Sequence, residues 1–104
     1  MTNPRDALRT RVDALQDKLL EFCAAMVATD SQNPPGDTGP LADLIEKRLA
    51  TLPDVEIRRV VAKDPAVNLV AVLKGNRPGR RLVFNGHLDT FPIGDPLPWT
   101  TNPL

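Results

Sequence analysis

The sequence predicts an α/β fold, because helical spacing of apolar residues gives way to strand-like patterns about halfway along the chain. The first half has apolar residues at steps of three and four, the spacing of one helix face. The second half has alternating or continuous apolar runs, which are typical of strands. We therefore expect two helices followed by about three strands, in an α/β or α+β arrangement.

The first helix is predicted to begin at Asn3 and Pro4, a typical N-cap and first helical position, and to run to about Ala28. Its apolar stripe should face a core. Cys23 lies beside this stripe, so we expect a small core residue rather than a nucleophile. The stripe consists of Leu8, Val12, Leu15, Leu19, Phe22 and Met26.

A loop of turn formers, residues 30–37, separates this helix from a second one predicted from about Pro40 to Leu52. The loop contains the string Asn33-Pro34-Pro35-Gly36. The second helix has a regular apolar face, which should point inward. That face consists of Leu41, Leu44, Ile45 and Leu49.

Three strands are predicted beyond Pro53. The first strand alternates inward and charged positions, as a half-exposed strand does. Its predicted inward positions are Val55, Ile57 and Arg59. The second, 68–73, is apolar after its first residue, so we expect helices over both of its faces. The third is short, 82–84. Two helices supply one layer, so we expect the second layer to lie outside this chain, which would then be truncated.

Composition excludes several classes of protein. The 104 residues suffice for one small domain, and 13 basic and 13 acidic side chains leave no net field for nucleic acid or an anionic membrane. No apolar run reaches the roughly 18 residues of a membrane span, and the N-terminus lacks an apolar export signal. The single cysteine suits a reducing compartment. We expect a cytoplasmic protein.

The segment with candidate catalytic and metal-binding residues follows the third predicted strand. Ligands bind at the carboxyl ends of strands in open α/β sheets. In an extended backbone residues two apart point the same way, so His87 and Asp89 should project into one pocket. Imidazole is the commonest metal ligand, and a nearby carboxylate orients its ring. The pair by itself also fits a structural role, in which His87 caps the strand and Asp89 closes a turn with Thr90.

A longer string favours the metal site. Residues 82–95, followed by Trp99 and Pro103, resemble a signature of one metallopeptidase family. That family includes acetylornithine deacetylase, succinyl-diaminopimelate desuccinylase, glutamate carboxypeptidase and aminoacylase. Its pattern is an apolar strand, then Gly-His-x-Asp-x-x-Pro, then Trp-x-x-x-Pro. The strings 33–36 and 68–71 are similar to it as well, so the resemblance covers nearly the whole chain.

The resemblance implies a three-layer αβα zinc-peptidase-like domain, with residues 1–104 as its N-terminal portion and the remaining catalytic and dimerisation parts absent. It implies that His87 binds one of two adjacent divalent ions, zinc with cobalt or manganese as alternatives. It implies that Asp89 is the catalytic aspartate that steers this histidine. The family's bridging aspartate, glutamate base and second histidine have no counterpart here, since Asp95 is the only later acid. Leu104 stands where the family commonly has Phe.

The implied reaction is hydrolysis of the amide of an N-acyl amino acid or small carboxylate-bearing peptide, as in a deacetylase, desuccinylase or carboxypeptidase. A metal-activated water would attack, and a glutamate would pass its proton to the leaving amine. The complete protein would then be a hydrolase, with a homodimer as one arrangement. One ligand is too few for a zinc site, so this chain alone should bind metal weakly and be inactive.

Two other interpretations compete with the metallohydrolase. A serine hydrolase could use Ser31, His87 and Asp89, although Ser31 lacks the Gly-x-Ser-x-Gly elbow and better fits turn chemistry. A Cys23–His87 pair is weaker still. The second is a small non-enzymatic α/β binding module whose apolar C-terminal strip contacts a partner. That strip consists of Phe91, Ile93, Leu97 and Trp99.

Overall fold

A computed structural model of the chain describes residues 3–94 and 99–104. Within these ranges three helices precede two strands, which confirms the α/β class although two helices and about three strands were predicted. No helix of this part is long and apolar enough to cross a bilayer. The elements are α1 (Pro4–Ala14), α2 (Gln16–Val27), α3 (Gly39–Leu49), β1 (Val55–Lys63) and β2 (Ala66–Leu73).

The first predicted helix begins as expected but is divided in two. Asn3 caps α1, since its Oδ1 accepts a hydrogen bond of 3.0 Å from the Arg5 backbone N–H. At Leu15 the backbone leaves helical geometry, with φ −98° and ψ 1°, and α2 starts at the next residue. The backbone N–H of Leu15 donates to Val12 O at 3.0 Å, an i to i−3 hydrogen bond that tightens the last turn of α1.

The apolar stripe of these two helices was predicted to face a core, and that prediction is wrong. Neither helix has a buried residue, and Leu8 is 64% exposed. Cys23 is exposed as well, so its assignment to the core is also wrong. The reason is the packing order, since α1 contacts α2 and α2 contacts α3, while α3 is the helix that contacts both strands.

The inward face of α3 is confirmed. Leu41 is 6% exposed, and the neighbouring Ala42 is fully buried. The other predicted residues of this face, Leu44, Ile45 and Leu49, are half-buried. The observed helix ends three residues before the predicted end at Leu52.

The strands β1 and β2 pair antiparallel, with Arg59 opposite Leu69. The predicted alternation of β1 is confirmed, because Val55 and Ile57 are half-buried and the residue between them is exposed. Arg59 completes the alternation by reaching α3. Its Nε lies 2.6 Å from Glu46 Oε2, and its guanidinium also pairs with Asp43. Hydrogen bonds to these two carboxylates raise the pKa of Arg59 above its ordinary value, and the bond to Glu46 is the larger cause.

The second strand was expected to be covered on both faces, with one of the two layers outside this chain. Among the described residues α3 covers one face of β2, no described element covers the other, and Leu73 is 59% exposed. The prediction of a third strand is wrong. The segment 82–84 is not a strand, and its residues are 73–89% exposed. A strand needs a neighbour for its backbone hydrogen bonds, and β1 and β2 pair with each other in a two-stranded sheet.

A buried hydroxyl joins the start of α3 to β2. Thr38, 5% exposed, donates from Oγ1 to Val67 O at 2.8 Å. The same oxygen accepts from Val67 N at 2.7 Å. One side chain therefore satisfies both backbone groups of Val67, where an unpaired buried polar group would be costly.

We expect Thr38→Val to lower the free energy of unfolding by about 1–3 kcal/mol, because both polar groups of Val67 lose their partner at a buried position. Urea unfolding measures the change, and amide hydrogen exchange at Val67 should accelerate. Thr51→Val is the matched control, since that hydroxyl bonds an exposed helix end. Equal effects of the two variants would contradict the role of Thr38.

Candidate metal-binding site

His87 and Asp89 lie beside each other, as their spacing predicts. The ring Nδ1 of His87 is 2.6 Å from the backbone O of Asp89 and 3.3 Å from its Oδ1. Both oxygens are acceptors, so Nδ1 must carry the ring proton and donate it. The lone pair of a neutral ring is then on Nε2, the nitrogen that faces away from Asp89.

The pair is open to solvent. The side chain of His87 is 83% exposed and that of Asp89 is 41% exposed. The sequence predicted that both residues project into a pocket at the end of a strand, and the described residues instead place them on an accessible surface. The preceding segment is irregular, so the position of the pair does not come from a strand.

A different element supports the pair, namely the loop after α2. Thr90 N donates to Ser31 O at 3.0 Å, and Asn33 N donates to Thr90 O at 2.9 Å, which forms a short parallel bridge. Gln32 Oε1 also accepts from Ile93 N at 2.8 Å. This support was not predicted from the sequence. The string 33–36 is similar to the family pattern, but it does not indicate that the loop contacts residues 90–93.

Ser31 belongs to this support. It is 3% exposed, and its Oγ donates to Leu88 O at 2.9 Å. The hydroxyl proton is thus directed to a backbone carbonyl, while the Nδ1 proton of His87 is directed to Asp89. The Ser31–His87–Asp89 arrangement of a serine hydrolase is not formed by these contacts, which fit the structural role predicted for Ser31.

The carboxylate of Asp89 has a second partner, Asn33, whose Nδ2 donates to Asp89 Oδ2 at 3.0 Å. This hydrogen bond is the main cause that holds the pKa of Asp89 below its ordinary value of 3.8. Partial burial opposes the shift, and the proximity of His87 adds to it. Asp89 is therefore ionised at neutral pH, as a carboxylate that accepts two hydrogen bonds should be.

The donor set fits one ligand position of a metal ion. Nε2 of His87 is accessible and its opposite nitrogen is held, which is the usual arrangement of a ligating histidine. Among residues 3–94 and 99–104, no group of three or more His, Cys, Asp or Glu side chains could hold an ion together. Asp95 lies outside the described residues. A zinc site usually needs three or four protein ligands, and the described residues offer one candidate here, His87.

The apolar strip of the alternative binding module is only partly accessible. Phe91 is 95% exposed and Trp99 is 54% exposed. Ile93 is half-buried, and Leu97 lies outside the described residues.

Two curated enzymes are similar to this chain. Succinyl-diaminopimelate desuccinylase 2 of Ruegeria sp. (strain TM1040) is 53% identical over 37 residues, which are 36% of this chain and 9% of that enzyme. N-formyl-4-amino-5-aminomethyl-2-methylpyrimidine deformylase of Halalkalibacterium halodurans is 31% identical over 103 residues, covering 95% of this chain and 24% of that enzyme. No family model matches the chain, and no solved structure matches it significantly.

The chain spans about a quarter or less of the length of these relatives. Both are named for removal of an acyl group, succinyl in one and formyl in the other. The similarity relates the chain to amide hydrolases at low identity, which confirms in part the relation predicted from the sequence.

We expect Asn33→Ala to raise the pKa of Asp89 toward its ordinary value, because the main hydrogen bond to the carboxylate is removed. A pKa that is lowered in the folded state stabilises the fold at pH values above the ordinary pKa of the group. This contribution is lost as the pH falls through the folded pKa. The stability difference between variant and wild type should therefore shrink on acidification. NMR titration of the Asp89 carboxyl carbon measures the pKa. Asn76→Ala, in the exposed loop after β2, should leave it unchanged.

Proposed function

We propose that this chain contributes one metal ligand, His87, and its orienting carboxylate, Asp89, to a metal-dependent amide hydrolase. The substrate class is an N-acyl amino acid or a small peptide that bears a carboxylate. The observation that supports this most is the contact of His87 Nδ1 with Asp89, which leaves Nε2 accessible. The names of the two relatives, a desuccinylase and a deformylase, agree with removal of an acyl group.

The role of each residue follows from the proton on Nδ1. His87 binds through Nε2, because its other nitrogen donates to Asp89. Asp89 holds the ring in one tautomer and one direction, and its negative charge makes Nε2 a stronger donor to a cation. In this proposal Asp89 takes the role of the catalytic aspartate of the family that the sequence resembles, acting through the ring.

The metal is zinc in this proposal, with cobalt or manganese as alternatives, because one imidazole suits several divalent ions. A bound pair of such ions supplies an activated water and polarises the scissile carbonyl. The general base and the other ligands lie outside residues 1–104, which form the N-terminal portion of the catalytic domain. In this proposal the whole enzyme is cytoplasmic, with a homodimer as one arrangement, and this chain by itself is inactive.

A binding module is the second candidate, favoured by the exposure of Phe91 and Trp99. It requires no metal, so binding of an ion at His87 separates the two candidates. A chain whose ring does not respond to divalent ions would support the module.

We expect Co²⁺ to shift and broaden the ring signals of His87, which are unambiguous in NMR spectra because the chain has one histidine. One ligand binds weakly, so saturation should require a large excess of Co²⁺ over the chain. His87→Gln should abolish this binding, and Asp89→Asn should weaken it by about 10–100-fold. Asp17→Asn on α2 is the control. Tight binding that persists in His87→Gln would refute the assignment.

We expect the protein, at the length in which the cell produces it, to hydrolyse N-succinyl or N-formyl amines. A chelator should abolish the activity and zinc or cobalt should restore it, because the water is metal-activated. His87→Gln should lower kcat/KM by at least about 100-fold. Activity that resists chelators and is lost with a fluorophosphonate would instead support a serine hydrolase.

A further inference from the structure

The carboxylate of Asp89 is held from two sides. Its Oδ2 accepts from Asn33 Nδ2 at 3.0 Å, while its Oδ1 lies 3.3 Å from His87 Nδ1. The two oxygens of a carboxylate have a fixed relative position. A hydrogen bond to one therefore sets the direction of the other, and the Asn33 contact decides which way Oδ1 points.

The direction of the Asn33 side chain is determined by chemistry on one side and by space on the other. An ionised carboxylate only accepts hydrogen bonds, so the amide must present its NH₂ to Asp89. On the other side lies Gly36, which is buried and has φ +76°. A Cβ there would lie 3.2 Å from Asn33 Cγ and Oδ1, which is tighter than ordinary contact. Glycine leaves room for the amide.

The loop that contains Asn33 is anchored without its side chain. The backbone bonds of Thr90 with Ser31 and Asn33, and the bond from Gly36 N to Gln32 O at 2.8 Å, involve no Asn33 side-chain atom. The Ser31 hydroxyl adds its bond to the Leu88 carbonyl. Removal of the Asn33 amide should therefore leave the loop in place and change the direction of Asp89.

We propose that Asn33 is a positioning residue of the metal site, which holds the Asp89 carboxylate. Together with the backbone O of Asp89, 2.6 Å from Nδ1, this carboxylate sets the tautomer and direction of the His87 ring. The inference rests on the proposed function, in which His87 is the metal ligand. Among the described residues, no hydrogen bond joins the Asn33 side chain to the imidazole. Its effect is exerted through Asp89 alone.

The first test uses the metal-free chain at a fixed pH at which the ring is neutral. Asn33→Leu keeps nearly the same shape but has no donor. Long-range ¹H–¹⁵N NMR of His87 should show the ratio of Nδ1–H to Nε2–H tautomer falling by about 2- to 10-fold, the factor of one ordinary hydrogen bond. Asn33→Gln, which keeps the amide, should remain closer to wild type. Asn76→Leu, the control, should have the same tautomer ratio as wild type.

The second test measures Co²⁺ affinity from the same ring signals. Asn33→Leu should weaken binding by about 10-fold or more, as loss of an outer partner of a ligand does. Hydrogen exchange at the Thr90 amide should stay slow, because its bond to Ser31 O does not involve the Asn33 side chain.

Three results would overturn these inferences. An unchanged tautomer ratio in Asn33→Leu overturns the positioning role. Fast hydrogen exchange at the Thr90 amide in Asn33→Leu also overturns the positioning role, because the Asn33 side chain would then hold the loop itself. Absence of Co²⁺ binding at His87 in the unaltered chain overturns the metal assignment, so the two proposals fail in distinguishable ways.

Discussion

The proton on Nδ1 of His87 is the constraint on which the site depends. The backbone oxygen of Asp89 at 2.6 Å and its carboxylate oxygen at 3.3 Å are both acceptors, so they fix that proton between them. A neutral imidazole has one protonated nitrogen, and fixing it leaves the lone pair on the other. The ring is 83% exposed, so this lone pair is accessible. A three-residue segment thus presents an accessible nitrogen lone pair in a defined state.

The buried residues of the described chain lie in the loop that supports this segment and in the first turn of α3, rather than in α1 and α2. Ser31, Gly36 and Thr38 are buried in the loop before α3, and Leu41 and Ala42 are buried in its first turn. Buried hydrogen bonds are stronger and less mobile than exposed ones. The exposed His87–Asp89 pair is therefore attached to the best-packed region, which is what precise placement of a ligand requires.

The proposed hydrolase needs a general base and further ligands, and the described residues leave apolar side chains uncovered. Leu8 on α1 and Phe84 in the irregular segment are 64% and 89% exposed. The chain spans 24% and 9% of the length of the two relatives.

Features that depend on residue spacing within one segment could be predicted from the sequence. The α/β class, the start of α1 at Asn3, the inward face of α3 and the contact of His87 with Asp89 all follow from local periodicity. Tertiary structure alone decided which faces are covered and which distant segments meet. Hence Cys23 is exposed, 82–84 is not a strand, and Asn33 reaches Asp89 across 56 positions of sequence. Periodicity carries no information on such encounters, because burial and hydrogen bonding between segments depend on the neighbours that the whole fold supplies.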